Sequence, residues 1–264
     1  MKRASFMIAV LVLLPALAGA QQYEPSVGQE GKDVIWVPTP EDLVEAMLDI
    51  AKVTPNDFVM DLGSGDGRVV IAAAKRGARA VGVEYNPDMV ALSRRNAEKA
   101  GVSAKATFLN ADLFATDLTK ATVVTMYLLP SLNLKLRPTI LDLKPGIRVV
   151  SHAFNMGDWE PDQTVEKQGR TAYLWIVPAK VEGTWSWPSN PGTTQLKLTQ
   201  TFQKIQGTLR AGGKVQSISD GKLDGDHIIF SCGGQEYSGR VHAKMIEGTV
   251  KTGTRQEPWS ASLP

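Results

Sequence analysis

Residues 59–68 read VMDLGSGDGR, and this stretch fixes the local path of the chain more tightly than any other. An apolar pair leads into Asp61, glycines follow at Gly63, Gly65 and Gly67, and an apolar run occupies residues 69–74. The pattern predicts a strand, a tight turn and the first turns of a helix. Glycine suits such a turn because it tolerates positive φ and lets a ligand approach the backbone. A helix start adds free N–H groups and the positive end of a dipole.

The spacing narrows the ligand. A dinucleotide fingerprint, G-x-G-x-x-G, would need its third glycine at position 68, where Arg68 stands. A phosphate loop of the form G-x-x-x-x-G-K-[ST] does not occur. Asp61 would sit at the carboxyl end of the strand, where a carboxylate repels a pyrophosphate but welcomes an ammonium or sulfonium group. That argues for S-adenosylmethionine, which carries both.

Two further motifs follow in order: Glu84 in AVGVEYNP after a second strand, and Asn110 and Asp112 in ATFLNADL after a third. Together with D-x-G-x-G-x-G, they make residues 37–178 resemble the seven-strand class I S-adenosylmethionine-dependent methyltransferases. The VPTP segment at 37–40 makes the chain most similar to the small bacterial relatives of mitochondrial protein-lysine N-methyltransferases. The resemblance implies an α/β, Rossmann-like sheet with helices on both faces. It implies that Glu84 accepts the ribose hydroxyls, that Asn110 or Asp112 meets the adenine amino edge, and that Asp61 orients the methionine moiety. Gly63, Ser64, Gly65 and Gly67 would give the cofactor close approach. Thr39 is read as a helix cap that also sits beside the cofactor. Asp66 and Arg68 are read as tuning the turn and pairing with an acidic neighbour, not as catalytic.

Along the chain, residues 1–20 carry a signal-peptide pattern. Lys2 and Arg3 precede an apolar run at 6–14, Pro15 breaks it, and Ala18, Gly19 and Ala20 provide small residues before Gln21. The run is short for a membrane span. This predicts an exported protein, periplasmic or secreted, with no stable span after cleavage; an uncleaved anchor is the alternative. Residues 21–32 read as a flexible lead, 33–178 as the methyltransferase domain and 179–264 as a small antiparallel β domain. The first half alternates strands with helices, including one near 131–143 interrupted by Pro138, and closes on a hairpin. Beyond Pro178 the helical period is replaced by short alternating runs. A weak repeat recurs around Gly183, Gly207, Gly225 and Gly248, suggesting one hairpin per unit, with the glycines at bulges or bends.

The formal charge is only +2 and falls to about zero if Lys2 and Arg3 leave with a leader. That gives no basic excess for a nucleic-acid partner. The one cysteine, Cys232, excludes an intrachain disulfide, and no residue set is assigned to a metal. The acceptor side is less defined. After the fourth strand the chain reads Tyr127-Leu128-Leu129-Pro130, without the amide or carboxylate of the [ND]-P-P-[YF] motif that many adenine-methylating enzymes carry. Tyr127 is a candidate wall of a lysine channel. His152 is a candidate base but reads better as a satisfied core residue, and Trp185 and Trp187 as β-domain packing rather than an exposed recognition surface. Three readings follow: a protein-lysine methyltransferase, a methyltransferase of small molecules, and a non-catalytic exported binding protein that keeps the fold.

Overall fold

The computed structural model describes residues 23–190 and 192–264; the leader expected at 1–20 lies outside them. Among the described residues no helix is long and apolar enough to cross a membrane.

The first half is one seven-stranded sheet. Its strands are β1 (Phe58–Leu62), β2 (Arg79–Glu84), β3 (Ala106–Asn110), β4 (Val123–Met126), β5 (Arg148–His152), β6 (Gln163–Lys167) and β7 (Arg170–Ile176), in the spatial order β3-β2-β1-β4-β5-β7-β6. The first five are parallel, and β7 runs antiparallel to both β5 and β6. Parallel strands covered on both faces need apolar residues at every position rather than alternate ones. The VVTM run of β4 is accordingly buried throughout. One face is covered by α1 (Glu41–Ile50), α2 (Arg68–Lys75) and α3 (Pro87–Lys99), through Leu43, Met47, Val70, Ala73 and Val90. The other is covered by α4 (Pro130–Leu141), through Leu136 and Ile140, together with Trp159 and Trp175. Each such buried aliphatic side chain contributes about 1.5–3 kcal/mol. This is the Rossmann-like sheet, helices on both faces, that the motifs imply.

Local signals place most helix starts. Pro87 opens α3, and the Asn86 side chain accepts from Asp88 N at 2.9 Å and Met89 N at 3.4 Å. Two expectations fail. Thr39 does not cap α1: Pro40 is the flanking residue and no side chain caps this helix, because the Thr39 hydroxyl is taken by His152. Pro138 does not interrupt α4, which is continuous through it, with the proline on the exposed side.

The second half is an antiparallel barrel. Its strands are β8 (Gly183–Pro188), β9 (Thr193–Thr201), β10 (Lys204–Ala211), β11 (Lys214–Ser217), β12 (Ser219–Asp224), β13 (His227–Cys232), β14 (Gln235–His242), β15 (Met245–Thr252) and β16 (Arg255–Ser262). Neighbours in sequence are neighbours in space, and the circle closes where β8 pairs with β16 and β9 with β10. β11 and β12 behave as halves of one strand bent at Ile218: the first pairs with β10, the second with β13. Closure removes exposed edges. Trp185, Leu196, Ile228, Phe230 and Ile246 fill the interior. Trp187 lies against Tyr237 and Trp259, so both tryptophans pack, as read. The glycine of the last repeat has a steric reason. Gly248 faces Gly239 across β14 and β15, and a Cβ on it would stand 1.9 Å from the Ser238 carbonyl oxygen. The alternating runs of the sequence, at 195–202, 204–210, 227–231, 237–242 and 245–251, fall on β9, β10, β13, β14 and β15 and leave out β8, β11, β12 and β16; Pro188, Gly221 and Pro258 break the alternation of β8, β12 and β16.

Candidate active site

The strand order reverses at β1, which has β2 on one side and β4 on the other. The carboxyl ends of strands at such a point open a crevice. Here it is a cleft of about 240 Å³, lined by Asp61, Gly63, Ser64, Gly65, Glu84, Asp112 and Tyr127 among others.

Asp61, the last polar residue of β1, is buried, and Thr125 on the adjacent β4 donates its hydroxyl to Oδ1 at 2.6 Å. Burial pushes its carboxyl up to about 7; the Thr125 hydrogen bond opposes this, and the nearby Glu84 and Asp66 carboxylates add to it. Among the described residues no Lys, Arg or His pairs with it. The turn that follows is folded onto β2: the N–H groups of Gly63 and Ser64 both donate to Val83 O, at 2.9 and 3.1 Å. Glu84 anchors the turn from the other side, accepting from Gly65 N at 3.0 Å and Asn86 N at 2.9 Å. The Ser64 hydroxyl is buried with no hydrogen-bond partner among the described residues.

The glycines of the motif serve different purposes. Gly65 has φ +53° and carries the Trp36 indole directly on it, so that a Cβ would lie 2.8 Å from Trp36 Nε1. Gly67, at φ +83°, precedes α2, and a Cβ there would meet the Phe108 ring at 2.7 Å and Ser93 Cβ at 2.9 Å. Gly67 is not among the cleft residues, and its smallness serves helix–strand packing. Asn110 also departs from its expected place. It is exposed, does not line the cleft, and donates to Glu84 O and Tyr85 O at 3.2 and 2.6 Å, holding the turn after β2. Of the pair, Asp112 alone lines the cleft.

Residues 29–32 of the expected flexible lead, with 33–37 after them, line this cleft. Gly28 N donates to Trp36 O and Trp36 N to Gln29 O, both at 2.9 Å, making a short antiparallel turn. Lys32 reaches from it to Asp112 Oδ2 at 2.6 Å and lies 4.5 Å from the centre of the Tyr85 ring. The Lys32 ammonium holds the Asp112 carboxyl below its usual range.

At the opposite end, Thr39 Oγ1 is 3.0 Å from His152 Nδ1, and the Tyr127 ring lies 3.8 Å from the His152 ring. His152 is buried, and burial lowers it to about 4, so it is neutral near pH 7. It is a satisfied core residue, as the sequence suggested. Arg68 pairs with Asp66, at 3.0 Å from Nε and 2.5 Å from Nη2, and also donates to Thr39 O at 2.7 Å, tying the 37–40 segment to the glycine turn. Sequence reasoning missed Lys32, Trp36, Thr125 and Phe154. Thr125 had a signal, being the one hydroxyl in an otherwise apolar central strand.

Known proteins resemble the sheet region that carries this cleft. The family model described as "ANTKMT methyltransferase domain" matches residues 61–163, all within the seven-stranded sheet region. A protein-lysine N-methyltransferase of Saccharolobus islandicus (strain REY15A) is 44% identical over 151 residues, covering 54% of this chain and 94% of that protein. The chain belongs to the class I S-adenosylmethionine-dependent methyltransferases. An ATP synthase lysine N-methyltransferase of Mus musculus is 34% identical to this methyltransferase over 167 residues, covering 63% of this chain and 67% of the relative. A crystal structure described as that of an RNA methyltransferase from Salinibacter ruber, in complex with S-adenosyl-L-homocysteine, shares 52% identity with a TM-score of 0.54. It covers 55% of this chain and 96% of that one.

The cleft of this methyltransferase fits that cofactor on its own chemistry. Among the described residues Asp61 is a buried carboxyl group without a cation and Ser64 a buried hydroxyl without a partner, and Glu84 is a fixed two-oxygen acceptor at the end of β2.

Proposed function

We propose that this methyltransferase transfers a methyl group from S-adenosylmethionine to the ε-amino group of a lysine in a protein. The observation that carries the reading is the charge of the cleft. Glu30, Asp33, Asp61, Asp66, Glu84 and Asp112 line it against two basic residues, Lys32 and Arg68, each paired to one of those acids. Such a mouth attracts a cation and repels a phosphate backbone. The name of the Saccharolobus islandicus relative supports the same acceptor. The description of the Salinibacter ruber protein as an RNA methyltransferase makes RNA the second reading, and a small-molecule acceptor is the third.

In this proposal Asp61 holds the cationic methionine end, Glu84 the ribose and Asp112 the adenine edge, while Gly63, Ser64, Gly65 and Thr39 shape the cradle. When bound, the cofactor supplies an already activated methyl. What the chain adds is orientation, with nucleophile, carbon and sulfur in line. Tyr127 and Phe154 wall the approach, and a lysine drawn in as the ammonium must lose its proton before attack, since an ammonium has no lone pair. We place the reaction in residues 33–178, with 179–264 outside the chemistry, and place the protein outside the cytoplasm on its leader pattern.

The test is incubation with methyl-tritiated S-adenosylmethionine and a cell-envelope extract, followed by separation into protein, RNA and small-molecule fractions. Label released from protein as methyl-lysine on acid hydrolysis is expected. Label confined to RNA or to small molecules overturns the reading. N-terminal sequencing of the protein recovered from the periplasm, beginning at Gln21, tests export.

A further inference from the structure

The turn between β9 and β10 is the outlier of the barrel. Five other hairpin turns begin with Gly212, Gly225, Gly233, Ala243 and Gly253, all at positive φ, and four of the five use glycine. At the matching position this turn has Phe202, at φ 54°. A bulky residue held in the left-handed region marks a place where the surroundings dictate the conformation. The surroundings here belong to the other half of the molecule. The Phe202 ring stacks on Trp159, with centroids 5.8 Å apart and planes 17° from parallel, and the Arg137 guanidinium lies 5.3 Å from its centre. The next residue, Gln203, is buried and donates its side-chain amide to Glu160 O at 2.8 Å, and Lys204 pairs with the Glu160 carboxylate at 2.6 Å.

Trp159 and Glu160 belong to the loop 153–162 that leaves β5. Trp159 is fully buried, and Trp175 Nε1 donates to its carbonyl at 2.8 Å. Arg137, besides covering Phe202, donates to Met156 O at 2.7 Å and pairs with Asp158. One turn earlier on α4, the buried Asn133 donates to Phe154 O at 3.1 Å and Asn155 O at 3.3 Å. The loop opens on Ala153, itself at φ 64°. The residue after it, Phe154, lines the cleft and stacks beside Tyr127, with centroids 6.1 Å apart. An unbroken run of packed groups therefore connects a strained phenylalanine in the barrel to an aromatic wall of the transfer site.

We propose that Phe202 is a positioning residue of the methyltransferase: the β9–β10 turn clamps loop 153–162 and so fixes Phe154 beside Tyr127 on the wall past which the acceptor enters. The inference rests on reading the cleft as the site of transfer. It makes the barrel part of acceptor selection rather than an appended module. The carboxyl groups of Glu84 and Asp61 accept from Gly65, Asn86 and Thr125, none of them in the clamp, so cofactor binding is expected to be indifferent to it.

The test uses Phe202→Gly in the full chain, since glycine suits the turn as it does in four of its neighbours and the barrel should still close. With 4-fluorophenylalanine incorporated, and the Phe154 signal assigned by Phe154→Leu, the fluorine resonance of Phe154 is expected to shift and broaden while that of Phe108 stays in place. Affinity for S-adenosylhomocysteine is expected to stay within twofold. The KM for methyl transfer into envelope protein is expected to rise at least fivefold, more than kcat falls, and Phe202→Tyr is expected to restore both readouts. A Phe154 resonance that does not move, or a variant whose sole change is a lower melting temperature, overturns the inference. If the unaltered protein labels no protein fraction, the lysine reading fails, and the fluorine signal alone still decides the clamp.

Discussion

Thr125 donates its hydroxyl proton to the buried carboxylate of Asp61 across 2.6 Å, joining the two central strands of the sheet at the floor of the cleft. The residues are 64 apart in sequence. This one hydrogen bond is Asp61's polar partner in the described structure, and it does not offset the loss of water. The carboxyl therefore titrates near 7, and a cation must supply the rest of the stabilisation of its charged form.

The first prediction concerns pH. Below pH 7 a cationic ligand must displace a proton from Asp61, so affinity for S-adenosylmethionine should rise about tenfold per pH unit up to 7 and level off above it. Titration calorimetry at pH 6.5 in two buffers of different ionisation enthalpy should register proton release. Stability of the free protein should move the opposite way. The folded pKa lies above the unfolded value of about 3.9, so the folded chain holds a proton that the unfolded chain releases. Between about pH 4 and 7 this group subtracts up to about 1.4 kcal/mol of stability per pH unit as pH rises. Asp61→Asn should flatten both dependences; an unchanged slope in urea melts from pH 5 to 8 would count against a buried, titrating Asp61.

Glu84 does two jobs that one substitution can separate. Its carboxylate accepts from Gly65 N and Asn86 N while facing the cleft. Glu84→Gln has one acceptor oxygen left and must abandon one of these backbone groups. The expected loss is about 1–3 kcal/mol in binding of S-adenosylhomocysteine, roughly five- to 150-fold in Kd. Equal affinities by calorimetry would place the ribose away from this residue.

Lys32 and Asp112 form a latch across the mouth. Each side chain is about one-third exposed, at 34% and 35%, so solvent screens the pair and it is readily opened. If Asp112 must turn to the adenine edge, Lys32→Met should tighten cofactor binding by a few-fold. High salt screens the attraction of the acidic cleft for the cationic cofactor in both proteins, but in the unaltered protein it also loosens the exposed latch, so affinity should fall less there than in Lys32→Met. Measuring Kd at low and high salt, roughly 50 and 500 mM, in both proteins decides it; weaker binding by Lys32→Met would mean that Lys32 holds the cofactor rather than excluding it.

The sheet region was legible because its information is local. Gly63, Gly65 and Gly67 punctuate a strand and a helix within ten residues, and the VVTM run announces a strand buried on both faces. What escaped depends on distant partners. A threonine between two prolines looks like a cap until His152, 113 residues away, takes its hydroxyl. The lead expected at 21–32 looks like a polar tail until Lys32 finds Asp112, 80 residues on, and Trp36, just beyond the lead, finds Gly65. Asn110 and Asp112 share a motif, yet the backbone turn after β2 claims the first and leaves the second to the cleft. In the barrel, the strands that alternate cleanly were visible, while β8 and β16 owe their place to closing a circle.

Gly65 and Gly67 look equivalent in the motif and should behave differently when altered. Both have positive φ, but Gly67 faces Phe108 and Ser93 in the core behind the cleft, whereas Gly65 faces Trp36 and the cleft itself. A methyl group on Gly67 meets an aromatic ring that the sheet holds in place, and overpacking of this kind costs about 1–3 kcal/mol before backbone strain is added. Gly67→Ala should therefore lower the melting temperature by several degrees while the folded fraction keeps its affinity for S-adenosylhomocysteine within a few-fold. Gly65→Ala meets the Trp36 indole on the cleft side of the turn, so it should be milder in melting and harsher in binding. Differential scanning calorimetry with and without ligand separates the two, and equal binding losses at both positions would return Gly67 to the cofactor's own contacts.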